Sequence, residues 1–182
     1  MPAYHSAYND LPSDQVTTIA SISILPFQTK IRGPAPPPLS VTSSGELDIL
    51  GEAIELFRAN SLFRNFEIKG GADRLLIYLI LFISQCLTIL ATAKVPMSQN
   101  EAIKQLSTTA VDQFSLPGDA GFPLNNLYQP PANRMEAEQL RAYLTQARQE
   151  LALRLIEKIY IDGKPSKWWL AFTKRKFMGK SL

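Results

Sequence analysis

Nineteen residues without a charge, LLIYLILFISQCLTILATA from Leu75 to Ala93, lie between Arg74 and Lys94 and dominate the hydrophobic pattern of this chain. The stretch meets the length rule for a bilayer span, for which about 20 apolar residues suffice. It also fits a central helix covered by other helices on every side. Ser84, Thr88 and Thr92 recur every fourth residue and draw one polar line along it, while Leu76, Ile80, Leu87 and Leu90 fall on faces that neighbours can bury. This favours a core helix over a span.

Four further helices follow from periodicity and end signals. Ser43 with Glu46 predicts a capping box, and Leu47, Leu50, Ile54 and Phe57 form one apolar stripe ending near Asn60. Gly70 and Gly71 separate this helix from the central one, and Asp73 suits the first turn of the latter. Ser98 and Glu101 form a second capping box for a helix carrying Ile103, Leu106 and Ala110, which Pro117 terminates. Asn133 and Glu136 open the longest helix, running to about Ile161, with Leu140, Leu144, Ala147, Leu151 and Leu155 as its buried line. Glu150 and Arg154 are spaced for an i,i+4 pair. Ser166 then caps a last helix through Met178. Between the third and fourth helices, Pro117 to Ala132 is non-helical and long enough to require either a function or its own packing. Phe122, Leu124, Leu127 and Tyr128 can pin it to the core.

The first 44 residues hold seven prolines and no helical period. Ile22, Ile24 and Phe27 suggest a short extended piece, and GPAPPP at Gly33–Pro38 favours polyproline II. The expected architecture is therefore all-α. One domain spans residues 1–182, with an extended Pro-rich arm (1–44) and a five-helix core (45–182) around Leu75–Ala93.

Composition changes this picture in one respect. The net charge of +3 hides six basic residues and no acid from Lys164 onwards, while residues 1–163 hold 13 basic against 16 acidic residues. The basic character belongs to the C-terminal segment and speaks of a partner. There KPSKWWLAFTKRKFMGKSL interleaves cations with aromatics; the preferred arrangement turns two aromatics inward and the basic edge (Lys174, Arg175, Lys176, Lys180) outward. Phe63 and Phe66, with Phe122 and Tyr128 of the long loop, are weaker interface candidates. The charge is too small and too localised for nucleic acid.

Motifs of catalysis are missing: there is no Gly-rich phosphate loop, HExxH, CxxC or GxSxG. His5, the sole histidine, has no Cys or Ser partner nearby in sequence, and Cys86, the sole cysteine, lies inside the apolar helix. No metal-ligand cluster stands out, and Glu52–Glu55 and Glu136–Glu138 read as solvated helix faces. Neither enzyme activity nor a cofactor is expected. MPAYHSAYNDLP lacks the basic head and apolar run of a secretory signal, so cytoplasm is the expected compartment. Two rival classes can be framed: a membrane-associated helical protein, from Leu75–Ala93, and an adaptor presenting Pro34 and Pro37 as a PxxP ligand.

Several words of the chain resemble a known family. In order they are MPAYHS (Met1–Ser6), GPAP (Gly33–Pro36), FRANSLFRNFEIK (Phe57–Lys69), ADRLLIY (Ala72–Tyr78), PGDAGFPLN (Pro117–Asn125), RAYLTQARQELALRLIEKIY (Arg141–Tyr160) and PSKWWLAFTKRKFMGKSL (Pro165–Leu182). Together they resemble subunit 3, the 21 kDa subunit, of the actin-related protein 2/3 complex. Pro37–Gly45, Ala93–Ser98 and the stretch around Asp162 read as variable. The resemblance implies an all-helical, non-catalytic structural subunit beside the actin-related protein 3 subunit. The complex it implies binds the side of an actin filament and, with a nucleation-promoting factor, starts a branch. Its place would be the cytoplasmic actin cytoskeleton, without membrane insertion.

Overall fold

A computed structural model describes residues 4–38, 47–62 and 64–182. Its element order, short 3-10 turns apart, is β1 (Thr17–Ile19), β2 (Ile22–Ile24), α1 (Ile49–Asn60), α2 (Gly71–Ala91), α3 (Gln99–Val111), α4 (Arg134–Ile159), β3 (Tyr160–Ile161), β4 (Lys164–Pro165) and α5 (Lys167–Leu170). Helices dominate, but β1–β2 and β3–β4 are two antiparallel two-stranded sheets, so the all-α expectation is only partly met.

α2 is the core helix. Every residue from Leu75 to Ile83 is buried, which places apolar side chains on all sides of its first half. It is long and apolar enough to cross a membrane, yet 67% of its most apolar window is buried inside the protein. Neighbours leave one line open in its second half: Ser84 is half-buried, Thr88 and Thr92 exposed. The two threonine hydroxyls bond back to the helix itself, Thr88 Oγ1 to the Ser84 carbonyl (2.9 Å) and Thr92 Oγ1 to that of Thr88 (2.8 Å). The predicted polar line is real and marks where the surrounding helices stop.

α1 begins at Ile49, later than the sequence suggests. Asp48 is its N-cap and accepts from the Gly51 amide at 2.8 Å, while Leu47 is exposed. The predicted Ser43–Glu46 box lies outside the described residues. α3 carries the predicted capping box from Ser98 and Glu101 but stops at Val111, well before Pro117. α4 begins as predicted, with the Asn133 side chain accepting from the Glu136 amide (2.9 Å); its 26 residues span about 39 Å at 1.5 Å each. Its predicted buried line, Leu140 to Leu155, is at most 1% exposed throughout.

α3 packs antiparallel-fashion against α4 through a buried cation. Arg148, 2% exposed, donates to the carbonyls of Thr109 (2.8 Å) and Ala110 (3.2 Å) and to the Tyr78 hydroxyl (3.1 Å). It thereby satisfies last-turn carbonyls of α3 that have no partner within the helix. Phe82 and Phe114 cover the guanidinium at 4.6 and 4.2 Å.

The proline-rich N-terminal segment does not stand off as an extended arm. Ile22, Leu25 and Phe27 enter the same core cluster as α1, α2 and α4. The β1–β2 turn places Ala20 (φ 52°) and Ser21 (φ 61°) in the left-handed region without a glycine, a conformation costing about 1–2 kcal/mol per residue. Contacts at the tip hold it there: Arg74 donates to the Ser21 carbonyl (3.3 Å), and the Gln129 amide donates to Ser21 Oγ (3.0 Å). Further on, Gln146 of α4 accepts from the Ala35 amide (2.8 Å) and donates to the Ile31 carbonyl (2.9 Å). A Cβ at Gly33 would collide with the same Gln146 side chain, so GPAP is docked on α4. The loop before α4 is likewise self-bonded: Leu116 donates to Asp119 (2.8 Å), Gly118 to Asn125 Oδ1 (2.8 Å) and Asn125 to the Asp119 carbonyl (2.7 Å).

Candidate interaction surface

α4 ends in a tight hairpin. Asp162 (φ 52°) and Gly163 (φ 78°) form its two-residue turn, the Asp-Gly signature of such loops. The helix expected to run to about Ile161 therefore ends at Ile159. The hairpin sends the last 17 residues back over α1 and α2, where aromatics fasten them. Trp169 is buried and stacks on Phe57 (6.2 Å, 15°), Phe172 meets Phe57 edge-on, and Phe177 meets Phe66 edge-on (5.9 Å). The expected helix through Met178 is therefore broken. α5 has four residues, 3-10 turns follow at Ala171–Lys174 and Phe177–Gly179, and Met178 (φ 54°) lies in the left-handed region. Burying both Trp169 and Phe177 takes the chain off a helical path.

Lys174, Arg175, Lys176 and Lys180 remain exposed. None of them has an ion-pair partner among the described residues. Only one of the two tryptophans turns inward. Trp168 is 54% exposed and lies under the Arg58 guanidinium, 3.3 Å from its ring centroid. Beside them is an open cleft of about 490 Å³ lined by Arg58, Ala59, Leu62, Phe172 and Arg175.

The other interface candidates are placed differently. Phe66, Phe122 and Tyr128 are 6%, 4% and 6% exposed. Phe122 stacks on Tyr78 (6.4 Å, 7°) and takes Tyr128 edge-on (5.2 Å), so the long loop turns these rings into the core. Phe63 lies outside the described residues. The structure thus leaves the basic C-terminal residues exposed and turns Phe66, Phe122 and Tyr128 inward.

Two carboxylates, read from the sequence as a first-turn residue and a solvated face, are buried. Asp73 is fully buried and accepts from the Ser6 amide (2.9 Å) and the Lys69 amide (3.0 Å), with His5 Nδ1 at 2.7 Å. Glu52, expected on a solvated face, is also buried and accepts from Ser6 Oγ (2.7 Å) and the Ala7 amide (2.8 Å). Burial pushes the Glu52 carboxyl above its ordinary range despite those donors, and the nearby Asp73 adds to the rise. Asn60 completes the attachment by exchanging two 2.9 Å bonds with the backbone of Tyr4. His5 is thus a tether for the N-terminal segment. A third carboxylate, Asp48, joins Arg154 through two bonds (2.7 and 2.8 Å), and Glu150 meets the same guanidinium at 3.0 Å. Burial raises Asp48, but Arg154 and the Gly51 and Gln28 amides outweigh it and hold the group below its ordinary value. Cys86 is buried, and burial pushes its thiol up to about 12. No group of three or more His, Cys, Asp or Glu side chains able to hold a metal occurs among the described residues.

These features define a small, mostly helical protein with one solid core and an exposed run of cations in its C-terminal segment. The family model described as the ARP2/3 complex ARPC3 (21 kDa) subunit, P21-Arc, matches residues 1–182. The chain is 51% identical over 184 residues to actin-related protein 2/3 complex subunit 3 of Schizosaccharomyces pombe, and 51% identical over 189 residues to that of Saccharomyces cerevisiae, covering both partners completely. It is 45% identical over 181 residues to the Dictyostelium discoideum subunit 3, covering 98% of this chain and 99% of that one. The chain belongs to the subunit 3 family of the actin-related protein 2/3 complex.

Proposed function

We propose that this protein is a non-catalytic structural subunit of the actin-related protein 2/3 complex, docked beside actin-related protein 3. In this reading it helps hold the arrangement that binds an actin filament and nucleates a branch. Its place is the cytoplasmic actin cytoskeleton. The observation that carries the proposal is the family match along the whole chain. A subunit without chemistry of its own acts by differential contact: it favours an active arrangement only to the extent that it binds that arrangement better than the inactive one. The basic edge of Lys174, Arg175, Lys176 and Lys180 supplies such a contact, directed at an acidic actin-like surface. Exposed unpaired cations suit long-range complementarity, which salt screens.

Affinity purification of the tagged subunit tests membership. Two actin-related proteins and four other subunits are expected at near-equal amounts. Lys174→Glu, Arg175→Glu and Lys176→Glu together should then weaken assembly or branching, more strongly at low salt than at high salt. Recovery of the subunit alone refutes membership, and wild-type behaviour of the triple variant across salt reduces the edge to a solvated face.

A further inference from the structure

The cleft between α1 and α5 has the composition of a recognition site and shares only Arg175 with the basic edge. A tryptophan at 54% exposure is a large apolar area left in water within a protein that buries Phe57, Trp169 and Phe177 nearby. Trp168 is also held rigidly. Trp169 and Phe172 meet it edge-on at 6.0 and 6.1 Å, and Arg58 covers one face at 3.3 Å. Leu62, beside it, is 56% exposed. Exposed Trp and Arg held in fixed positions around a concavity are the residue types that dominate binding energy at interfaces.

Arg58 shows what the cleft is built to receive. Its Nε is buried without a hydrogen-bond partner, and its guanidinium forms no ion pair among the described residues. Its side-chain contacts there are with the rings of Trp168 and Trp169. Stacking fixes the plane of a five-donor fork while leaving it without an acceptor, which is preorganisation for a carboxylate. Arg175 lines the same cleft, and no acidic residue does among those described. From Lys164 to Leu182 the sequence contains no acid at all.

We propose that the Arg58–Trp168 cleft receives an apolar side chain flanked by carboxylates, presented by a segment of a neighbouring subunit. The apolar group lies against Leu62, Trp168 and Phe172, and the flanking acids meet Arg58 and Arg175. The chemistry excludes a basic or purely apolar ligand, which would leave two cations desolvated and unpaired. A bilayer shares the attraction to cations and tryptophan, but a concave site about 490 Å³ in volume matches a side chain better than a flat lipid surface. The proposal rests on membership of the complex and adds to it the contact that holds the subunit.

The test uses the whole complex, purified with a tagged subunit carrying Arg58→Glu, Leu62→Asp or Arg58→Lys. Circular dichroism first checks that each variant is folded; Leu62→Asp, at an exposed position, stands in should Arg58→Glu unfold. Arg58→Glu and Leu62→Asp should lower incorporation at least tenfold, and Arg58→Lys by less, since lysine keeps the charge but neither stacks nor forks. A photoreactive benzoylphenylalanine at position 62 should cross-link, within the purified complex, to a segment with Asp or Glu within two residues of the attachment point. Incorporation of both disruptive variants at wild-type levels overturns the proposal while leaving membership standing. So does a cross-link to a segment without acids. Trp168-dependent sedimentation with phosphatidylserine vesicles, with incorporation unchanged, assigns the cleft to a membrane and overturns it as well. Failure of the unmodified subunit to recover the complex refutes the membership on which it rests.

Discussion

Replacing Arg148 by methionine tests whether a buried cation without a carboxylate partner stabilises this fold. Methionine keeps most of the length and apolar volume, so the change isolates the guanidinium. Two opposing effects follow. Removing a buried charge relieves a desolvation penalty of several kcal/mol. Against that, the carbonyls of Thr109 and Ala110 lose donors at 2.8 and 3.2 Å, and each orphaned buried acceptor costs about 1–3 kcal/mol. The guanidinium also leaves the faces of Phe82 and Phe114, contacts worth up to about 2 kcal/mol each when desolvated. The Tyr78 hydroxyl loses its partner as well. The local interactions outweigh the penalty because the negative end of the α3 dipole points at the cation. Arg148→Met should therefore cost about 3 kcal/mol. Near 2–4 °C per kcal/mol for a chain of this size, that lowers Tm by roughly 6–12 °C. Arg148→Lys, with the charge but no fork, should fall between. Urea unfolding followed by far-UV circular dichroism, with unchanged m, measures the difference. A methionine variant as stable as the parent, or more so, would show that desolvation dominates and that α3 needs no donor from α4.

Other outcomes follow from the buried polar groups and the long loop. Asp48→Asn should flatten part of the acid limb of stability. A carboxyl held below its ordinary value stabilises above about pH 4 and loses that contribution as pH falls through its folded pKa; a melting series from pH 7 to pH 3 reads the difference. Glu52 has the opposite sign: its raised value means that stability from this group increases as pH falls towards the ordinary glutamate range, and Glu52→Gln should remove that slope from the same series. Cys86, buried with its thiol pushed to about 12, should resist Ellman's reagent at pH 8 until denaturant is added; rapid labelling of the native protein would contradict its burial. Phe122→Ala should cost about 3–5 kcal/mol because it removes the stack on Tyr78 and the edge contact with Tyr128. A loss under about 1 kcal/mol in urea unfolding would return that ring to the surface.

The signals carried locally by the backbone were legible. The capping pairs Ser98–Glu101 and Asn133–Glu136 start their helices where the sequence says, because cap chemistry involves residues three apart. The buried line of α4 was likewise readable from its period. The C-terminal cations were found as candidates because six basic residues with no acid form a compositional signal that needs no fold. Asp-Gly at the β3–β4 turn is a local signal of the same kind.

Other features depend on residues far apart in sequence. Asp73 finds the Ser6 amide 67 positions away, Glu52 finds Ser6 Oγ 46 away, and Tyr143 bonds both polar groups of Leu25 across 118. No window on the chain brings those pairs together, so the N-terminal segment looked like an arm and Glu52 like a surface residue. The end of α5 was misplaced for the same reason. Local preference favours a helix through Met178, and burial of Trp169 and Phe177 overrides it.

By itself, the sequence determined the helical elements, the core helix, the family and the charge asymmetry. Each of these is written in nearest neighbours, in period or in ordered words. The tertiary structure alone decided which of two adjacent tryptophans faces water, where the lone histidine finds its carboxylate, and that Phe122 and Tyr128 point inward. Side-chain direction at such positions is set by competition for a shared interior. That competition exists only once the elements have met.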